Sequence, residues 1–298
     1  SVFSAETRHV LEVGSDHITG PGIADNSIGL AAVVALPKLL DHLNIRFKDD
    51  LILLANAKSL GRANLEGARG FLDTMRRPIH AGVCVEGATQ GRLSYSGLGA
   101  LRGEITLNIP KDYDWSSFGA AGAISHINRL INQLMEIPLP KEPKSKMTFG
   151  GLTAGSSFNT SPKTGRLRFE ITSEGDEVID DLENRLDEIC EQFSLETGTE
   201  VKMETAAKRQ NCGIPFSHPL VKATRAIMDK AGITPKVDPS TGDLNALIRA
   251  GHPGVTLGLT TVENLREENE TIQLEPLYAG LAQLITLLQA IDGGLCEE

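Results

Sequence analysis

The chain has 298 residues, 40% hydrophobic and 23% charged, enough apolar material for one large domain or two ordinary ones and too much for a disordered chain. With 29 Lys and Arg against 39 Asp and Glu the net charge is −10, which leaves no electrostatic footprint for nucleic acid or anionic lipid. The apolar stretches are broken by Pro, Gly or charge short of the roughly 20 residues of a membrane span. No basic-then-apolar leader opens the chain, and Cys84, Cys190, Cys212 and Cys296 lie scattered with no CxxC pair. A reduced, cytoplasmic protein without nucleic-acid or membrane partners is the expectation. The chain opens Ser1-Val2-Phe3 without an initiator Met, which leaves room for a segment upstream.

Gly20-Pro-Gly-Ile-Ala-Asp-Asn-Ser27 is a turn-rich loop before an apolar run from Ile28 to Leu43, long enough for a buried helix with a kink predicted at Pro37. Leu51–Ala55 reads as a short strand, Leu65, Ala68, Leu72 and Met75 as one helix face, and Gly82–Val85 as a buried strand. This rhythm suits a mostly parallel sheet flanked by helices. Next come a strand at Ile105, Leu107 and Ile109, and a helix with its stripe at Ile124, Ile127, Ile131 and Leu134. Two strands follow, at Met147–Leu152 and at Leu167, Phe169 and Ile171, then an acidic helix from Val178 to Phe193 and a strand at Val201 and Met203. That β-α-β-β-α-β order is ferredoxin-like: a four-stranded antiparallel sheet with two helices on one face, placed at residues 101–207. Residues 1–100 and 208–298 make the α/β remainder. There Ser217 caps a helix, Asp243 opens another, Gly254–Gly258 is a strand, and Pro276 starts the last helix.

No HExxH helix, GxSxG elbow or phosphate loop is present. Asp25-Asn-Ser before an apolar helix is by itself a plain N-cap. Yet Gly20-x-Gly22-x-x-Asp25-Asn26-x-x-Gly29-x-Ala-Ala is similar to a signature of the co-catalytic zinc hydrolases that include peptidase T, aminoacylase and carboxypeptidase G. The likeness continues in order through Leu60-Gly-x-x-x-Leu65-x-Gly67, Val85-Glu86-Gly87, Ser156-Ser-Phe-Asn159, Asp243-Leu-Asn245 and Arg249-Ala-Gly-x-Pro-x-Val-Thr-Leu-Gly258. The resemblance implies a zinc-exopeptidase-like α/β domain with an inserted ferredoxin-like lid that also dimerises. It further implies a cleft floored by Asp25 and Glu86, with Asn159 and Tyr113 at substrate-binding positions.

The same resemblance exposes departures. Of five metal ligands in that family, Asp25 and Glu86 match, and a His-x-Asp strand would precede Ser1. Ala57 stands at the general base, Lys58 at a metal-binding Glu, Arg266 at the late His, and Thr172 where an Arg often follows Asp-x. Lys and Arg offer only donors when charged and repel a dication, and Ala57 cannot take a proton from metal-bound water. The expected protein is therefore a pseudo-enzyme without a cofactor, whose Lys58 and Arg266 head groups neutralise Asp25 and Glu86. Its expected partners are a second copy, through the lid, and a peptide-like or acyl amino-acid ligand. The alternative is an active zinc peptidase or N-acyl amino-acid hydrolase that uses upstream residues and shifted ligands such as Glu263, Glu267 or Glu268.

Overall fold

A computed structural model describes residues 10–59, 61–116 and 121–296. The described residues within Ser1–Ser59, Leu65–Gly97 and Cys212–Glu298 form one unit, and those within Leu60–Asn64 and Leu98–Asn211 form the other.

The first unit begins with a hairpin of β1 (Glu12–Val13) and β2 (His17–Thr19), then an irregular turn at Ile23–Ser27. Helix α1 (Ile28–His42) runs unbroken through Pro37 and buries Gly29, Ala32, Leu36 and Leu40, a stripe at helical spacing, while Leu30 and Val34 are exposed. Contrary to the expectation from sequence, the helical run Ile23–His42 is by length and composition apolar enough to cross a membrane. Asp25 and Asn26 leave helical φ/ψ inside it, so the regular helix is only about 22 Å long. Leu36 and Leu40 of its buried stripe pack with Ile285.

Residues 51–55 are not a strand. They have no ladder partner among the described residues, and Ile52, Leu53 and Leu54 are exposed. Apolar content nominates a strand, but only paired backbone groups make one.

Helix α2 (Glu66–Thr74) leads into β3 (Gly82–Ala88), β4 (Arg92–Ser94) and β5 (Ser96–Gly97). The second unit consists of β6 (Gly99–Asn108), α3 (Ala123–Met135), β7 (Ser145–Ala154), β8 (Thr164–Ser173), α4 (Asp176–Thr197) and β9 (Glu200–Arg209). Its sheet order is β7-β8-β6-β9, every pair antiparallel, which is the ferredoxin-like arrangement. Leu101, Ile105 and Leu107 of β6 and Leu167, Phe169 and Ile171 of β8 meet Ile127, Leu130, Ile179 and Leu186 in one core. Gly103 sits at a bulge, where a Cβ would come within 2.5 Å of the Phe169 ring, so the aromatic packs directly on backbone.

The buried stripe of α3 is Ala123, His126, Ile127, Leu130 and Leu134, and Ile124 is exposed. The predicted stripe and the observed one share Ile127 and Leu134, and both fit a 3.6-residue period. The sheet, not the period, chooses between them.

The chain then returns to the first unit through β10 (Cys212–Gly213), α5 (Pro219–Lys230), β11 (Lys236–Val237), α6 (Leu244–Arg249), β12 (Gly254–Thr260), β13 (Val262–Glu263), β14 (Thr271–Gln273) and α7 (Glu275–Ala290). His218, not Ser217, caps α5: its Nδ1 accepts from the Leu220 amide at 3.1 Å. The central sheet runs β11-β4-β12-β3, parallel at β11/β4 and β12/β3 and antiparallel at β4/β12. A second sheet, β1-β2-β14-β13, is antiparallel throughout. Leu93, Val255 and Leu257 of the central sheet pack on Leu220, Val221 and Met228 of α5 and on Leu284 and Leu287 of α7.

Candidate functional site

The turn that carries Asp25 lies on the edge of β3 that faces away from β12. Asn26 holds it there: its Oδ1 accepts from the Gly87 amide at 2.7 Å and its Nδ2 donates to the Val85 carbonyl at 2.9 Å. One side chain thus pairs two backbone groups of an edge strand, as a neighbouring strand would. Two glycines permit the approach. A Cβ on Gly87 would meet the Ala24 carbonyl oxygen at 2.3 Å and Ile28 Cγ2 at 2.2 Å, and a Cβ on Gly29 would meet Asn26 Oδ1 at 2.2 Å. The Asp25-Asn-x-x-Gly and Glu86-Gly patterns are therefore two halves of one contact.

Glu270 fastens the turn from beneath. It is fully buried, and its Oε2 accepts from the amides of Ala24 at 2.8 Å and Asp25 at 3.4 Å. Its Oε1 accepts from the amide of Arg266 at 2.8 Å, a residue held in left-handed backbone at φ 71°. One carboxyl group therefore positions both Asp25 and Arg266. In sequence Glu270 closes Arg266-Glu-Glu-Asn-Glu270, where the resemblance puts the Glu of a late His-Thr-x-x-Glu pattern.

Arg266 Nε donates to Asp25 Oδ2 at 3.3 Å, as expected of the pair. Lys58 does not join them. Its Nζ lies 3.1 Å from Glu66 Oε2 on the surface, with 70% of the side chain exposed, because its left-handed backbone (φ 62°) precedes α2 and Glu66 opens that helix. Glu86 is paired instead by Arg92 of β4, whose Nη1 lies 2.5 Å from Glu86 Oε2. Arg92 sits six residues beyond Glu86, a separation that says nothing until the β3–β4 reversal is built.

Asp243 occupies the N-cap position of α6 but makes no capping bond. Its carboxylate accepts from the Ser59 hydroxyl at 2.9 Å and from Asn56 Nδ2 at 3.1 Å. Ala57, between those two donors, is exposed and carries no group for proton transfer. Glu263, Glu267 and Glu268 are exposed too. In the second unit the Tyr113 hydroxyl is 3.0 Å from Nε2 of buried His126, so it is engaged within its own core. Asn159 lies in the exposed loop between β7 and β8, where its Oδ1 accepts from Ser157 Oγ at 3.2 Å. Thr172 is a β8 residue opposite Ala100.

Burial pushes the Glu86 carboxyl above its ordinary range. Arg92 opposes that shift, Asp25 and Asp243 add to it, and Arg266 subtracts. Cys84 on the same strand is pushed up to about 12, first by burial and then by Asp243 and Glu86. It is a neutral thiol at neutral pH and no nucleophile. Because Glu86 holds its proton more tightly folded than unfolded, its ionisation weakens the fold as pH rises through and above the ordinary carboxylate range. Urea titrations of parent and Glu86→Gln should therefore show the variant losing less stability between pH 5 and pH 7.5. Equal slopes would remove this assignment.

These donors do not fit a divalent metal. Asp25 and Glu86 each direct an oxygen at a guanidinium, which stays charged at any working pH. Among the described residues no group of three or more His, Cys, Asp or Glu side chains is arranged to hold an ion. A catalytic zinc needs about three such ligands and an open position.

No family model matches the sequence, and no curated protein matches it. Solved structures do match. A tripeptidase from Staphylococcus aureus is similar at TM-score 0.71 and 16% identity, over 96% of this chain and 77% of that one. An amidase of the hydantoinase/carbamoylase family from Burkholderia vietnamiensis gives 0.67 and 14%, over 93% and 77%. A dinuclear metal-binding peptidase of the M20 family from Bacillus subtilis gives 0.56 and 16%, over 86% and 70%. The fold is thus that of these peptidases and amidohydrolases, an α/β unit interrupted by a βαββαβ unit, as the sequence motifs imply.

Proposed function

We propose that this chain is a degenerate relative of the di-zinc peptidases and amidohydrolases, a cytoplasmic protein that no longer carries out metal-dependent hydrolysis and keeps the scaffold for binding or assembly. One observation carries the reading: Asp25 and Glu86, at the two metal-ligand positions the sequence retains, are each paired with an arginine. The chemistry around them agrees. Ala57 offers no general base, and Lys58 and Arg266 offer donors where ligand atoms would be needed. A peptide-like or N-acyl amino-acid ligand and a homodimer built through the βαββαβ unit complete the proposal, on the strength of the family resemblance.

The test is a hydrolysis panel of dipeptides and N-acyl amino acids, with metal analysis of protein purified in zinc. No turnover above blank and far less than one zinc per chain after dialysis are expected. Near-stoichiometric retained zinc with turnover would sink the reading in favour of an active hydrolase with shifted ligands. A monomer by light scattering at high concentration would remove the dimer.

A further inference from the structure

We infer that Arg92 and Arg266 are resident counter-ions: they give Glu86 and Asp25 the positive charge that a bound ion gives in a dinuclear site, so the Asp25 turn is held in place without any ion. The inference rests on the functional reading above and adds the means by which the scaffold stays folded. Arg92 and its partner Glu86 are both largely covered, at 27% and 31% side-chain exposure. A half-covered guanidinium on a short strand is costly unless a carboxylate answers it, and the converse holds for Glu86. Arg266 is more exposed, at 65%, but its backbone is fixed by the same buried Glu270 that fixes the Asp25 amide. The third acid near Glu86, Asp243, is satisfied by Ser59 and Asn56 and needs no cation. Each of the three acids therefore has a partner fixed to the chain. Unlike a metal, a guanidinium is not removed by a chelator, and its charge persists across the working pH range.

The test uses the whole chain and reads thermal unfolding with EDTA, with 1 mM zinc and with neither. The parent should unfold at one temperature in all three. Arg92→Gln should lower Tm by roughly 2–5 °C, Arg266→Gln by less because its pair is more solvated, and the double variant by more than either. Zinc should leave the double variant's loss in place, because Asp25 and Glu86 are two ligands where about three are needed. If that variant does not fold, the exchange Asp25→Arg with Arg266→Asp replaces it, expected to be more stable than either single change. A double variant as stable as the parent, or an exchange no better than its parts, would each overturn the inference while leaving the hydrolysis result untouched. Zinc that stabilises the parent would overturn it as well, and activity in the panel would count against the functional reading alone.

Discussion

Glu270→Ala is expected to lower the unfolding free energy by about 1–3 kcal/mol, the range for leaving a buried donor without its acceptor. The carboxyl serves three backbone amides, those of Ala24, Asp25 and Arg266. Truncation leaves the buried Ala24 amide without its acceptor and the half-covered amides of Asp25 and Arg266 to water, with a cavity where the side chain had been. Glu270→Gln should cost less but still measurably. Its single carbonyl can serve one side, while its NH2 group faces an amide on the other. Urea unfolding measures both. The site should register the loss as well: with the Arg266 amide released, the left-handed backbone at φ 71° loses its fastening and the Asp25–Arg266 pair should weaken. A Glu270→Ala protein within 1 kcal/mol of the parent would show that the carboxyl is not the fastener.

Gly87→Ala should destabilise by about 1–3 kcal/mol, the usual cost of forcing extra volume into a packed site. The added carbon would lie 2.3 Å from the Ala24 carbonyl oxygen, a backbone atom that cannot rotate aside. The Asp25 turn must therefore lift from β3, lengthening the Asn26 bonds to Gly87 and Val85. Gly70 in α2 is the control, because a Cβ there meets nothing within 4 Å. Gly70→Ala should be neutral or stabilising by up to about 1 kcal/mol, the helix-propensity gain. Urea midpoints for the two variants give the comparison. Equal effects would mean that the turn is not seated on Gly87.

The sequence by itself determined the elements whose signal is local. The βαββαβ order follows from period-two alternation at Ile105, Leu107 and Ile109 and from apolar spacing in the two helices, because a strand or helix face repeats every few residues. The Asp25-Asn-x-x-Gly29 and Glu86-Gly87 patterns were legible only through their resemblance to a known family, because by itself the Asp25 segment reads as a plain helix cap. Close backbone approach admits only glycine, and an edge strand accepts a side-chain amide only where Asn26 stands. Apart from Arg266 with Asp25, which the resemblance implies, pairings across distance were decided by tertiary structure. Arg92 rather than Lys58 answers Glu86 because β4 folds back beside β3, while the left-handed turn at Lys58 sends its ammonium to Glu66. Glu270 became the fastener because β14 brings the residue before it under a turn 245 residues away in sequence. The stripe of α3 and the missing ladder at 51–55 belong to the same class. Periodicity says that a face is apolar, but only the partner that covers it decides which face is buried and whether a strand exists at all.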